Sequence, residues 1–145
     1  MARTIFKAKS SRVNRAATSA PSSEAFAYCR DLDNWPRSWM GMEKDLPAGE
    51  ELVACLRPFI KHLASSSLSP KTMRRHVNNL WMLGGEIIRD LNYTPSLRKI
   101  AMKRLLRDVL HADGGPLIHN GSEEEQSSLD STCRKLHRFL TQPQR

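Results

Sequence analysis

The clearest hydrophobic pattern in the chain lies between residues 68 and 91. Ser69 precedes it as an N-cap, and Pro70 takes the first helical position, where its missing N–H costs nothing. The apolar positions that follow alternate steps of four and three: Met73, Val77, Leu80, Gly84, Ile87 and Leu91. This alternation keeps them on one face, so the pattern predicts an amphipathic helix from Ser69 to about Asn92.

A second pattern of the same period runs from Pro47 to Ser66. Its apolar positions are Leu52, Leu56, Phe59, Ile60 and Leu63. Pro58 lies inside it and predicts either a kinked helix or one that begins closer to Pro58. The link at residues 64–68 is short and rich in serine, so the two helices are expected to pack as a helix–turn–helix hairpin.

A third helix is predicted from Thr94 and Pro95 to about Leu110. One face would carry Leu97, Ala101, Leu105 and Val109. Between the second and third helices, residues 92–96 form a turn. Within the second helix, Gly84-Gly85 weakens helix propensity and indicates a bend or a close approach of another element.

A loop at residues 111–121 precedes the last helix. Ser122 is its N-cap, with Glu125 as the partner in a capping box. The buried stripe is Leu129, Cys133, Leu136 and Leu140. The chain is therefore predicted to be all-α, a single small bundle of four main helices at residues 47–141, with a disordered basic tail at 1–24 and an aromatic connector at 25–46.

The connector contains Tyr28, Trp35 and Trp39. Such rings either dock on the main body or stack on nucleic-acid bases. We favour docking, because large rings supply much of a small core.

The net charge indicates either a polyanionic partner or a soluble protein that is simply basic, and we favour the partner. The 145 residues carry a net charge of +8 with a pI near 9.9, which favours nucleic acid. No apolar run reaches the roughly 18 residues needed to cross a bilayer, and no signal peptide is visible. The three cysteines are far apart, which indicates free thiols and a reducing, cytoplasmic compartment.

Basic residues are concentrated in the tail, which has no acid before Glu24. They are Arg3, Lys7, Lys9, Arg12 and Arg15. The tail is open to three interpretations: an arm along phosphates, a solubilising tail, or a transit peptide. We favour the arm or the tail over the transit peptide.

Basic residues also begin the second helix. Lys71, Arg74 and Arg75 lie near its N-terminus, with Asn78 and Asn79 on the same polar face. Cations there oppose the helix dipole, so the pattern indicates either a bound anion or an ordinary solvated face.

On the third helix, Lys99, Lys103 and Arg107 follow at steps of four, with Arg104 beside them. Like charges at that spacing repel, so we expect this stripe to contact phosphates. The basic group Arg134, Lys135 and Arg138 near the end of the last helix is explained by the dipole alone.

Catalytic chemistry is not indicated, and the chain is predicted not to be an enzyme. The five histidines are scattered without metal-ligand spacing, so no metal or cofactor is expected. The corner least excluded from catalysis is His119 with the Asp113 loop, for which no activating partner is visible.

Residues 59–63 and 68–72, followed by Leu80 and Leu83, resemble the N-terminal SAM-like core-binding domain of tyrosine recombinases and phage integrases. That domain has an aromatic-x-x-x-Leu helix end and a Leu-Ser-x-x-Thr helix start. Thr72 matches the threonine, and His76 stands at a tyrosine position. The resemblance covers about residues 52–91 and implies that Lys71, Arg74 and Arg75 lie towards the DNA backbone.

The resemblance does not extend to strand cleavage. The chain has no His-x-x-Arg, and its two tyrosines lie in connectors. The whole layout, with its last helix at 122–140, also resembles a group of small bacterial proteins without an assigned function. We therefore expect a DNA-binding accessory protein that contacts phosphates through Lys71, Arg74, Arg75, Lys99, Lys103, Arg104 and Arg107. The alternative is a protein-interaction module of a mobile-element or antitoxin-like system.

Overall fold

A computed structural model describes residues 31–142, and regular structure in that range is helical. The α-helices are α1 (Trp35–Trp39), α2 (Asp45–Ala64), α3 (Pro70–Tyr93), α4 (Met102–Val109) and α5 (Glu123–Thr141). Two 3₁₀ turns, Leu32–Asn34 and Pro95–Lys99, precede α1 and α4. The predicted all-α bundle is confirmed. The predicted tail at 1–24 and Tyr28 lie outside the described residues.

Helix α2 is the centre of the bundle, with α1, α3 and α4 packed around it, and α5 packs on α3. The two long helices α2 and α3 form the predicted hairpin. Their fully buried side chains include Leu52, Leu56, Phe59, Leu80 and Leu83, and Leu129 and Leu136 of α5 belong to the same core. Hydrophobic burial along these faces is the main stabilising contribution to the fold.

Side-chain caps set where α3 and α5 begin. The Ser69 hydroxyl accepts a hydrogen bond from the Thr72 N–H at 3.1 Å, with Pro70 at the first helical position. Ser122 and Glu125 form the predicted capping box, with backbone-to-side-chain distances of 3.1 and 2.9 Å. Both caps satisfy N–H groups that have no partner inside their helix.

Helix α2 continues through Pro58. The alternative in which it begins near Pro58 is therefore wrong. Proline removes one backbone hydrogen bond, which leaves the carbonyl of residue 54 without its helical donor. Ala54 and Pro58 are both exposed, so water can bind that carbonyl, while the buried face of the helix stays continuous.

The tryptophans of the connector dock on the bundle, as predicted. Trp35 is only 3% exposed, and its ring centroid lies 5.8 Å from that of Trp39. The Trp39 indole N–H donates to the Trp81 carbonyl at 2.9 Å, and the Trp81 indole donates to the Ser38 hydroxyl at 2.9 Å. The Trp39 ring lies against Gly84, so the glycine pair marks a close approach.

The predicted third helix is wrong as a single element. The turn Pro95–Lys99 ends with the Ile100 N–H bonded to the Leu97 carbonyl, and Ile100 and Ala101 are extended. Helix α4 then buries Met102, Leu105 and Leu106, while Ala101 is exposed.

Buried polar contacts explain the break before α4. Arg98 donates to the buried Asp45 carboxylate at 2.7 Å and to the Asn92 side-chain oxygen at 2.8 Å. These contacts hold the 3₁₀ turn against the start of α2. A continuous helix would place Ala101 instead of Met102 on the core.

The loop between α4 and α5 is fixed by polar contacts. His111 and Gly114 exchange two backbone hydrogen bonds, and Asp130 accepts from the Gly115 N–H at 3.1 Å.

Among the described residues, the helices all fall short of the length and apolarity that crossing a membrane requires.

Candidate nucleic-acid interface

The first turns of α3 present the basic residues predicted there. Lys71, Arg74 and Arg75 are exposed, in the two turns that follow the Ser69 cap. The cap fixes the direction of these turns, and the unpaired N–H groups at this end give it a positive partial charge. Three cations at the positive end of a helix repel one another and favour an anion.

Arg75 also has a structural contact with α5. Its guanidinium donates to the Ser128 hydroxyl at 3.0 Å and, more weakly, to the Ser128 carbonyl at 3.5 Å. These bonds hold the side chain at the α3–α5 seam. Because a guanidinium has five N–H donors, the contact leaves further donors for a phosphate.

Asn79 is not on the predicted polar surface. It is 5% exposed, and its amide donates to the Ser128 carbonyl and hydroxyl at 3.0 Å and to the Thr132 hydroxyl at 2.8 Å. The helical periodicity could not predict this burial, because the partner hydroxyls belong to α5, far along the chain. Asn79 therefore aligns α3 with α5 and is not available to a ligand.

His76 lies inside the same seam and is fully buried. Its Nδ1 is 2.7 Å from the Thr132 hydroxyl, and its Nε2 has no hydrogen-bond partner. Burial, followed by the charges of Arg75 and Lys135, lowers the pKa of His76 to about 4. The imidazole is therefore neutral at pH 7, and Arg75 and Lys135 both lie close enough to act on it.

The cations of α5 join this end of the bundle. A cleft of about 120 Å³ is lined by Lys135, Arg138, His62, Ser66 and Leu68, among others. It brings the second half of α5 beside the end of α2 and the link that leads into α3. The sequence interpretation assigned Lys135 and Arg138 to the α5 dipole, whereas the packing of α5 on α3 places Lys135 close enough to His76 to act on it together with Arg75.

Acidic residues are excluded from the segments that form this end. The chain has no Asp or Glu from Leu52 to Gly85 and none after Asp130. We call Lys71, Arg74, Arg75, Lys135 and Arg138 the basic end. All five belong to these acid-free segments, so their neighbours along the chain carry no negative charge.

The end of α2 contributes carbonyl groups that would repel an anion, but serine residues cover them. Ser65 and Ser66 hydroxyls donate to the His62 carbonyl at 2.8 and 3.0 Å. The Ser66 N–H bonds the Leu63 carbonyl at 3.0 Å. The serine-rich link therefore reduces the negative partial charge at this helix terminus.

The predicted stripe Lys99, Lys103 and Arg107 is not one helical row. Lys99 belongs to the 3₁₀ turn, and the extended residues at 100 and 101 separate it from α4. Lys103, Arg104 and Arg107 are exposed on α4, which packs on α2. Arg104 lies 3.9 Å from Asp108, and Arg107 donates to the Leu140 carbonyl at 3.4 Å.

His119 pairs with Glu86 and not with the Asp113 loop that the sequence suggested. The His119 Nδ1 lies 2.8 Å from Glu86 Oε1, and its backbone N–H donates to Glu86 Oε2 at 3.3 Å. These contacts attach the α4–α5 loop to α3. Asp113 uses its carbonyl to accept from Arg134 at 3.2 Å. Among residues 31–142, His, Cys, Asp and Glu form no group that could hold a metal ion.

Comparison of the chain with protein-family models, with curated proteins and with solved structures gives no match.

Proposed function

We propose that this protein binds DNA through its phosphate backbone, with the basic end as the principal contact surface. The observation that carries the proposal is that Arg75 of α3 and Lys135 of α5 both lie close enough to act on His76, on segments that contain no acidic residue. Neutralising phosphates with such residues releases condensed counterions, which supplies affinity without base recognition.

The packing of α3 on α5 suits this role. Contacts of Arg75, His76 and Asn79 with Ser128 and Thr132 fix the two helices in register. The cations are therefore held on rigid elements, and less conformational entropy is lost on binding than for a mobile basic segment. No strand-cleaving chemistry is part of the proposal.

A charge-reversal pair tests the surface. Lys71→Glu with Arg74→Glu changes the net charge by −4 at the start of α3. The matched control, Lys44→Glu with Arg89→Glu, makes the same change at exposed positions outside the basic end. Binding of a labelled duplex of arbitrary sequence is measured by fluorescence anisotropy at low salt.

We expect the α3 pair to weaken DNA binding at least about tenfold. The slope of the logarithm of the association constant against the logarithm of salt concentration should decrease by the equivalent of about two phosphate contacts. The control pair is expected to change affinity much less. Circular dichroism checks that both variants retain their helix content. Equal losses in the two folded variants would show that net charge, and not the basic end, determines binding.

A further inference from the structure

One cavity among the described residues is a groove that lies away from the start of α3. It has a volume of about 670 Å³ and lies between α2, α4 and the end of α5. Its apolar lining is Ala54, Cys55, Pro58, Leu106, Phe139 and Leu140. Binding sites for small molecules have volumes in this range and walls that are mainly apolar.

Among the described residues, the two charged ones that line the groove are both cations. Lys103 and Arg107 lie one turn apart on α4, so they share one rim. Lys103 is close enough to act on the Cys55 thiol, and the acidic residue acting on the same thiol is Glu51, outside the lining. Within residues 31–142, Arg107 donates one long bond, to the Leu140 carbonyl at 3.4 Å, which leaves most of its donors available.

We propose that this groove binds an amphiphilic carboxylate, a molecule with an apolar chain or ring and one carboxylate head. The apolar walls would bury the chain, and Lys103 and Arg107 would bind the head at the rim. A guanidinium matches a carboxylate geometrically, and charge-assisted hydrogen bonds are stronger than neutral ones. Phe139 and Gln142 also line the cleft at the basic end, so the two sites adjoin. Lys103 and Arg107 are not part of the basic end, and the proposal does not depend on DNA binding.

Charge complementarity argues against two other classes of small ligand. A wholly apolar molecule would leave the two cations without a counter-charge. A polyphosphate would leave the apolar walls in contact with water. The combination of an apolar floor with cations on one rim fits an amphiphile best.

Cys55 provides a direct reporter of occupancy. It is half-buried in the groove lining, and burial raises the pKa of its thiol, so labelling is slow and easily followed at mildly alkaline pH. Cys133 is fully buried, and burial raises the pKa of that thiol to about 12, which makes it unreactive. Cys29 is replaced by serine in every variant, so that labelling reports on Cys55.

The test uses decanoate below its micelle concentration, with decanol as the uncharged analogue. We expect decanoate to slow maleimide labelling of Cys55 at least fivefold in a saturable manner, and decanol to protect far less. Lys103→Gln with Arg107→Gln should weaken protection by decanoate about tenfold, as expected for the loss of a charge-assisted contact. Lys99→Gln with Arg104→Gln, which removes the same charge nearby but outside the groove lining, should leave it unchanged.

Unchanged labelling with decanoate would overturn the proposal. Equal protection by decanoate and decanol, or equal protection in the two double variants, would also overturn it, because the cations would then have no part in binding. Protection by duplex DNA instead of decanoate would assign Lys103 and Arg107 to the DNA surface. Circular dichroism confirms that the variants are folded.

Discussion

The Trp39 indole occupies the space where a Cβ atom of residue 84 would lie, and a Cβ built there would be only 2.7 Å from Cε2 of the ring. Helix α1 is therefore docked against α3 through the absence of a side chain at Gly84. The contact joins a residue of the aromatic connector to the middle of the longest helix.

Gly84→Ala is expected to destabilise the protein by about 2 kcal/mol, because the indole must shift out of its site. Helix propensity alone predicts the opposite sign, a gain of roughly 1 kcal/mol. Gly85→Ala is the matched control, since its Cβ would meet Trp39 at an ordinary 3.6 Å. Urea unfolding gives the free energy of unfolding of both variants. A stabilising effect of Gly84→Ala would contradict the close contact.

The buried carboxylate of Asp45 organises the start of α2. It is fully buried and accepts from the backbone N–H groups of Gly41 and Met42, at 2.8 and 3.0 Å, and from Asn92 and Arg98. Asp45→Asn should cost about 3 kcal/mol, because it leaves Arg98 without its charge partner. Asp33→Asn breaks a surface pair with Arg57 and should cost under about 1 kcal/mol.

Acid should remove the contribution of Asp45 to the free energy of unfolding. Burial raises the pKa of Asp45, but hydrogen bonds from Arg98, Asn92, Gly41 and Met42 outweigh burial and lower it below the ordinary 3.8. Because the folded-state pKa is the lower one, the stabilisation is complete above about pH 4 and is lost as pH falls through the folded-state pKa. Denaturant unfolding of wild type and Asp45→Asn should therefore converge in strong acid. A constant difference between them would contradict this account.

Protonation of His76 should lower the free energy of unfolding at a higher pH than protonation of Asp45 does. Its folded-state pKa of about 4 lies below the ordinary 6.5. Between these values the unfolded chain binds a proton that the folded protein excludes, so the free energy of unfolding decreases as pH falls. The decrease is on the order of 3 kcal/mol across the window.

His76→Gln should flatten this pH dependence, whereas substitution of the exposed His111 by Gln should preserve it. Urea unfolding between pH 7 and 4.5 gives the slope for each protein. The same slope in wild type and His76→Gln would show that the imidazole is not the group responsible.

The capping box at Ser122 should contribute measurably to α5. Ser122→Ala removes the hydroxyl that accepts from the Glu125 N–H and is expected to cost about 1 kcal/mol. Ser127→Ala, at an exposed position inside the same helix, should be close to neutral. Thermal unfolding followed by circular dichroism distinguishes them, and equal effects would contradict the role of the cap.

The long helices could be predicted because their signals are local. Ser69 with Pro70, and Ser122 with Glu125, define helix starts within a few residues of chain, and the apolar periodicity defines the faces. The break before α4 could not be predicted in this way. It depends on Arg98 reaching Asp45, which lies 53 residues earlier in the chain.

The candidate site was predictable in part for the same reason. Lys71, Arg74 and Arg75 follow a clear cap, so their exposure could be read from the helix start. The proximity of Lys135 and the burial of Asn79 depend on the antiparallel packing of α3 and α5, and no local pattern indicates that packing. A continuous helix would place Lys99 one turn before Lys103, but the extended residues 100 and 101 separate them.

The most direct test of the proposed function is the affinity of the wild-type protein for a labelled DNA duplex of arbitrary sequence across a salt series. Fluorescence anisotropy should give an association constant whose logarithm falls linearly with the logarithm of the salt concentration. Contacts from the five residues of the basic end would give a slope of about −4 to −5. No binding at low salt, or binding that salt does not weaken, would contradict the proposal.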